Sequence, residues 1–489
     1  MNGVFARGRF VVFAVALLVR LAVVAWARAR FPPVEDGHYY DVLAHRLAAG
    51  AGYTWSWPDG AVTYAAHYPV GYPALLAALY AIFGGAAGVA MVGNAILGAV
   101  GACAASSLVD EPEVPRWRPL AAGLAVALHP ALVPYTAAVM TEGVTASILT
   151  IAASLVVGAR RAGAGASAGV GVGVGMGVGV GVGAGAGAGD EGRRTAAWVV
   201  AVGVVMGIAT LVRPQSLLLA PILGALTAGA LVPARRVLAR GAAVTAIALL
   251  CVAPWTARNC ARMHRCALVS VNGGWNLLIG AQTRSGSWEP VAVPPECATV
   301  WDEAAKDACF ERAARRIIAA EPVAWLARVP GKLAATLDYF GAAPWYLHAS
   351  NGVALDDAGK LRLAEIETVA CRLLLLGALV SCGRREGPRP MVRKALALAG
   401  AIFALTVHAW VAYAALVVCA GLLGARALWR GPLAVPLVAA VSALTAIVHA
   451  AFFGAGRYGL VVVPFVAAAT FVAPRPGRPR LEALAGWNP

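Results

Sequence analysis

Apolar stretches long enough to cross a lipid bilayer recur along most of this chain, and they leave few folds open. A spanning helix needs about 20 predominantly apolar residues, and by that rule the sequence offers about twelve crossings. They fall near 10–29, 88–108, 119–135, 143–159, 196–213, 215–233, 241–257, 366–383, 395–409, 411–427, 433–452 and 458–474. With 60% hydrophobic and only 13% charged residues, the chain carries too much apolar surface for a water-soluble globule. The expectation is an all-α polytopic membrane protein.

The charges set its orientation. Forty Lys and Arg against 24 Asp and Glu give a formal charge of +16, which in a soluble protein would suggest nucleic-acid binding. Here the basic residues gather between apolar stretches, at Arg160-Arg161, Arg235-Arg236, Arg384-Arg385 with Arg393-Lys394, and Arg475 to Arg480. That is the pattern of cytoplasmic loops, so no nucleic-acid partner is expected. The first apolar segment lacks a small-residue cleavage site and is expected to remain as a helix, its amino end inside beside Arg7 and Arg9.

Two segments need separate treatment. Tyr72 to Phe83 is too short to cross and follows Pro69, Gly71 and Pro73, so it is expected to lie on the outer surface as a juxtamembrane helix. This assignment keeps Arg116, Arg118 and Arg160-Arg161 inside and puts Asp36 and Glu142 outside. Between Ala162 and Gly189 glycine occupies about every second position, at about 1 kcal/mol each against a helix. A flexible cytoplasmic linker over 162–194 is therefore preferred to a further span.

The resulting organisation is a membrane module over 1–257 with an outer loop at 30–87, an outer polar segment over 258–365, and carboxy-terminal helices over 366–489. The outer segment is large enough for a small domain or cap, with an amphipathic helix expected near Glu311 to Ala320. Of nine cysteines, Cys103, Cys251, Cys371, Cys382 and Cys419 read as small core residues. Cys260, Cys266, Cys297 and Cys309 lie in the outer segment, where disulfides form, though their pairing cannot be read from sequence.

Few polar residues remain to carry chemistry. Asp36 stands just past the first helix with Glu35 beside it and Tyr39, Tyr40 and Asp41 following. A carboxylate there can act as general base on a hydroxyl at the membrane boundary, or be a solvated loop acid or helix cap. Glu142 interrupts an apolar region at a helix start, as a functional carboxylate or as a charge suited to a helix amino end. Arg213, Arg258 and Arg457 fall at expected outer helix ends, against the positive-inside trend. Their guanidinium forks match phosphate oxygens, the alternative being arginines that snorkel to the surface. Arg20, inside the first helix, is left to pair with a buried carboxylate. His67 and Tyr68 face the same outer region as Asp36, and His38 is nearby. No regular ligand spacing supports a divalent metal, and the nucleotide-loop, dinucleotide, hydrolase and zinc-protease motifs are missing.

Three blocks of residues resemble the GT-C glycosyltransferases, in the branch of protein O-mannosyltransferases and the bacterial transferases that modify lipid A or core sugars. The first is Asp36 with Tyr40-Asp41, Leu43-Ala44, Leu47, Gly50 and Gly52-Tyr53, then Tyr68-Pro69, Gly71-Tyr72-Pro73 and Phe83-Gly84. The second is Pro254-Trp255, Arg258-Asn259, Asn272-Gly273-Gly274, Asn276-Leu277, Ile279-Gly280, Gly286 and Trp288. The third is Arg457-Tyr458 followed by Pro464. Many relatives carry Asp-Glu in the first loop where this chain has Glu35-Asp36-Gly37. The spacing to Tyr40 and Gly50 favours Asp36 as the match to the family's aspartate, and a one-residue shift would select Glu35.

The resemblance implies a sugar donor on polyprenyl phosphate and an acceptor hydroxyl on a glycolipid, glycan or protein. Transfer would proceed with inversion on the outer, periplasmic face of the inner membrane. It assigns Asp36, with Glu35 as its neighbour, to the base, and Glu142 to orienting a substrate. Arg213, Arg258, Arg457 and Tyr458 fall to the donor phosphate, and Tyr40, His67, Tyr68, Asn272 and Asn276 to substrate contact. A competing reading is a transporter or lipid flippase with an outer-facing polar site, although no internal repeat supports it.

Overall fold

The computed structural model describes residues 2–109, 114–165, 188–229 and 232–474. The described chain is helical apart from one hairpin and a lone bridge between Ser287 and Gly454. After α1 (Asn2–Ala27) the chain turns through Pro32-Pro33 into α2 (Asp36–Ala48). The hairpin follows, β1 (Thr54–Ser56) pairing antiparallel with β2 (Val62–Tyr64), Thr54 opposite Tyr64. Next come α3 (Gly71–Phe83), α4 (Ala87–Ser107), α5 (Trp117–Ala127), α6 (Thr141–Gly165), α7 (Ala188–Val212), α8 (Ala220–Leu226) and α9 (Ala234–Arg262).

The outer polar segment folds as short helices: α10 (Gly273–Gln282), α11 (Pro295–Ala298), α12 (Glu303–Ala320), α13 (Pro322–Ala327), α14 (Val329–Leu337) and α15 (Ala342–Ser350). Disulfides join Cys260 to Cys266 and Cys297 to Cys309. The expected amphipathic helix is α12, and it starts earlier, at Glu303, because the Asp302 side chain caps it by accepting from the Ala305 amide at 2.7 Å. Its apolar side sets Phe310 against Trp275 of α10, ring centroids 5.0 Å apart. The chain then completes the bundle with α16 (Asp357–Arg384), α17 (Pro390–Ala404), α18 (Ala409–Gly421), α19 (Gly424–Arg430), α20 (Ala434–Ala451), α21 (Gly456–Gly459) and α22 (Val463–Thr470).

By length and composition, α1, α4, α6, α7, α9 and α20 can each cross a membrane, which makes this a multi-pass protein. Several other expected crossings are divided. The 119–135 segment stops at Ala127, before His129-Pro130, and resumes only as a single 3-10 turn at Pro134–Ala137. The 215–233 segment splits into a 3-10 turn, Pro214–Leu219, and α8. Gly424, at φ 77°, separates α18 from α19. Pro464, in the first turn of α22, marks a fresh start after α21. Each break coincides with a residue that lacks an amide donor or takes a left-handed backbone.

Helix α4 shows what packs the bundle. Ala90, Ala95, Ala99 and Ala102 are fully buried, so its backbone approaches those of α1, α5 and α6 closely. As expected for its length, α3 has 13 residues, about 20 Å at 1.5 Å per residue, and it packs on α2, α4 and α7. Most of the Gly-rich run lies outside the described residues, as does Arg475 to Arg480, while α6 and α7 extend into its two ends.

Arginines close the helix ends opposite the site described below. Arg118 donates to the carbonyls of Phe471 and Val472, and Arg385 to that of Ala473, just beyond α22. Arg160 donates to Leu226 at the end of α8, and Arg393 to Cys382 and Arg385 at the end of α16. These carbonyls have no partner within their own helix and carry the negative end of its dipole. Arg20 is a different case: instead of a buried carboxylate, it donates to the carbonyl of Ala16 in its own helix and to those of Val126 and Ala127 at the end of α5.

Candidate active site

Asp36 is the first residue of α2, Glu142 lies in the first turn of α6, Arg213 follows the last residue of α7, and Arg457 belongs to α21. The helices bring these four to one end of the bundle. Arg457 Nη2 reaches Asp36 Oδ2 at 2.9 Å, while its Nε lies 3.4 Å from Glu142 Oε1. Arg213 Nη2 meets the same Glu142 oxygen at 2.9 Å. The result is a chain of alternating charge, Asp36, Arg457, Glu142, Arg213. Side-chain exposure falls along it from 32% at Asp36 to 1% at Glu142.

The neighbours hold this arrangement rigid. Tyr135 donates to Glu142 Oε2 at 2.7 Å, and Arg213 Nε donates to Thr141 Oγ1 at 3.2 Å. Both guanidiniums face the Tyr458 ring, at 5.0 Å for Arg213 and 5.2 Å for Arg457. His449 stacks on Tyr458 at 4.3 Å. Burial acts against the charge on Arg457, but Tyr458, Asp36 and Glu142 outweigh it and hold the guanidinium well above the ordinary arginine pKa.

Asp36 is presented from above by aromatic residues. Tyr68 donates to Asp36 Oδ1 at 3.2 Å and stacks on Tyr39, centroids 5.0 Å apart. Tyr40 is buried, edge-on to Tyr68 and Tyr72. Gly37 allows the start of α2 to lie against Tyr346, whose hydroxyl accepts from the amides of Val34 and Val139. Glu35 is exposed, with a φ of 53°, and does not join the charge chain.

Other residues singled out in the sequence lie farther along the outer face. Arg258 donates to the carbonyls of Ala65 and Tyr53 and lies 4.7 Å over the Trp255 ring, apart from Arg213 and Arg457. His67 sits edge-on to Tyr68 and to Trp275, and burial lowers its pKa although Asp36 pulls the other way. Asn272 precedes α10 and accepts from Ser270 Oγ at 2.9 Å, with Asn276 one turn on and half-buried. Among the described residues, no group of three or more His, Cys, Asp or Glu side chains could hold a metal ion.

Sequence reasoning missed Tyr135, Thr141 and Tyr346. Thr141 adjoins Glu142, and Tyr135 stands where an apolar stretch breaks at Pro134, which are signals of a kind. Nothing local marks Tyr346.

A small pocket lies beside Arg213, His449 and Tyr458. Leu149, Leu219, Val441, Leu444, Val448 and Val461 line it together with the polar Thr145, Gln215, Ser216 and Thr445, so its walls are mixed.

No family model and no curated protein matches the chain. Solved structures do. The archaeal oligosaccharyltransferase AglB of Archaeoglobus fulgidus, in complex with an inhibitory peptide and a dolichol-phosphate, is 14% identical with a TM-score of 0.44, covering 95% of this chain and 50% of its own. ArnT of Cupriavidus metallidurans in the apo state is 14% identical with a TM-score of 0.38, covering 95% and 78%. The same protein bound to undecaprenyl phosphate is 15% identical with a TM-score of 0.35, covering 94% and 77%. The chain spans about half the length of the oligosaccharyltransferase. Both neighbours are GT-C membrane glycosyltransferases. The likeness is remote at these scores, and nothing about this chain's chemistry rests on it.

Proposed function

We propose that this protein is a membrane glycosyltransferase that moves a sugar from a polyprenyl-phosphate donor to an acceptor hydroxyl, with Asp36 as the base. The observation that carries the reading is the charge chain from Asp36 to Arg213 at one end of the bundle. A donor phosphate at this end meets Arg213 and Arg457, whose guanidinium forks match its oxygens.

The chemistry follows from that placement. The acceptor oxygen attacks the anomeric carbon, its proton passes to Asp36, and the bond from that carbon to the phosphate oxygen breaks on the opposite face, inverting the centre. The leaving phosphate takes the bonding pair, and its charge rises beside the two arginines. Glu142, buried and held by Tyr135, keeps both guanidiniums in place. Arg457 also engages Asp36. A donor phosphate that recruits Arg457 frees Asp36 to accept a proton. Arg258, held by carbonyls, acts away from the phosphate. The acceptor approaches from the side of Tyr39 and Tyr68, and this end of the bundle faces the periplasm.

The test uses the full-length protein in lipid nanodiscs, incubated with a panel of polyprenyl-phosphate hexoses and pentoses and envelope glycolipid, glycan and protein acceptors. At least one donor should release polyprenyl phosphate with transfer of its sugar. Asp36→Asn should lower that rate by about 10²- to 10⁴-fold while the protein still inserts. Full transfer by both Asp36→Asn and Glu35→Gln removes the assignment. Passage of labelled lipid across vesicles without any acceptor would favour a flippase instead.

A further inference from the structure

The backbone from Ala65 to Tyr68 is tied along its length to the outer segment and to Tyr53 of its own loop. The Ala65 amide donates to the Tyr53 carbonyl at 3.1 Å, and the Ala65 carbonyl accepts from Arg258 at 2.9 Å. The amides of Ala66 and His67 both donate to one oxygen of Glu303, at 2.6 and 2.9 Å. The Ala66 carbonyl accepts from the Val271 amide at 2.9 Å, and the Tyr68 carbonyl from the Tyr53 hydroxyl at 2.8 Å. At the end of this strap the Tyr68 hydroxyl meets Asp36.

Two adjacent amides aimed at a single carboxylate oxygen form an anion-binding concavity, and such charge-assisted bonds are stronger than neutral ones. Glu303 is itself well placed to fill it. It opens α12 behind the Asp302 cap, and the Cys297 to Cys309 disulfide ties α12 to α11 on either side of it.

We infer that Glu303 is a positioning residue for the reaction: by clamping the Ala66 and His67 amides it sets the Tyr68 hydroxyl on Asp36. Arg258 supports the same strap from its other end. The outer segment is thereby a working part of the site, although it contributes no member to the charge chain. The inference rests on the glycosyltransferase reading for its consequence in turnover, and on geometry alone for the clamp.

Two measurements on full-length protein in nanodiscs separate these. Hydrogen–deuterium exchange should show the Ala66 and His67 amides exchanging at least about tenfold faster in Glu303→Ala, as expected for loss of hydrogen bonds to a charged group, and between that and the wild-type rate in Glu303→Gln, whose amide oxygen still accepts through weaker, neutral bonds. With the donor that wild type turns over fastest, Glu303→Ala should lower kcat with donor KM unchanged, and Glu303→Gln should restore it. Glu303→Ala combined with Tyr68→Phe should be no slower than Tyr68→Phe alone, because both act through one contact. Wild-type exchange at both amides in Glu303→Ala overturns the clamp, and additive losses in the double variant overturn its link to Asp36. If wild type turns over no donor, the function proposed above fails while the exchange still decides the clamp.

Discussion

At the scale of single residues, what distinguishes Asp36 from Glu35 is backbone direction. The two are adjacent, yet the positive φ at Glu35 turns its side chain to solvent, while Asp36 opens α2 and faces Arg457. Sequence spacing favoured Asp36 as the base, and the Asp36→Asn and Glu35→Gln variants proposed above are the test of that choice. Arg213 and Glu142 pose a different question, because their ion pair is largely desolvated. Removing one member of a buried pair is costly, since the other keeps its charge without compensation. Arg213→Ala is expected to destabilise the protein by about 3 kcal/mol, the low end for such pairs, because Glu142 retains Tyr135 and Arg457. Arg213→Ala with Glu142→Gln should recover part of that loss in thermal unfolding in nanodiscs. A double variant less stable than the single one would show that the pair is not what holds this corner.

Among the elements, the long uncharged helices were the most legible. α1, α4, α6, α7, α9 and α20 all fall where apolar length required them, because a bilayer core admits few backbone alternatives. Broken elements were legible only in hindsight. Pro130, Pro214 and Gly424 are visible in the sequence, but whether a proline kinks a helix or ends it depends on what satisfies the freed carbonyls. The junction of α3 with α7 is equally hidden. A Cβ on Gly71 would stand 2.5 Å from the backbone of Leu211 and Val212, just before Arg213. Gly71→Ala should therefore push α3 away from the end of α7, lower stability by about 1–3 kcal/mol and reduce turnover by displacing Arg213. Gly192→Ala, with nothing within 4 Å, is the control and should be neutral or slightly stabilising. Equal melting temperatures for the two variants would contradict this account.

Across the whole molecule, charge is sorted by helix end. Acidic and arginine side chains interlock around Asp36 and Glu142, whereas at the other end arginines cap helix carbonyls. The basic clusters thus have a structural use beyond fixing orientation, and substituting them would fray helix ends as well as disturb topology. Sidedness itself is open to test with single cysteines at exposed positions. Val353, between α15 and α16, is 96% exposed, and Met391, at the start of α17, is 73% exposed. In intact cells stripped of their outer membrane, Val353→Cys should react with an impermeant maleimide, and Met391→Cys only after the membrane is opened. The opposite pattern would invert the assignment of the site to the periplasm.

Composition and apolar periodicity by themselves determined that the chain is a predominantly helical, multi-pass protein, because burying apolar surface and satisfying backbone hydrogen bonds are local demands. They also singled out Asp36, Glu142, Arg213 and Arg457, each out of place in its neighbourhood. Only the tertiary structure decided that these four form one chain of charge, that Arg258 serves a strap instead of joining them, and that Glu303 reaches across from the outer segment to Ala66. Those contacts join residues far apart in sequence, and packing between helices, which no local pattern encodes, is what brings them within hydrogen-bonding distance.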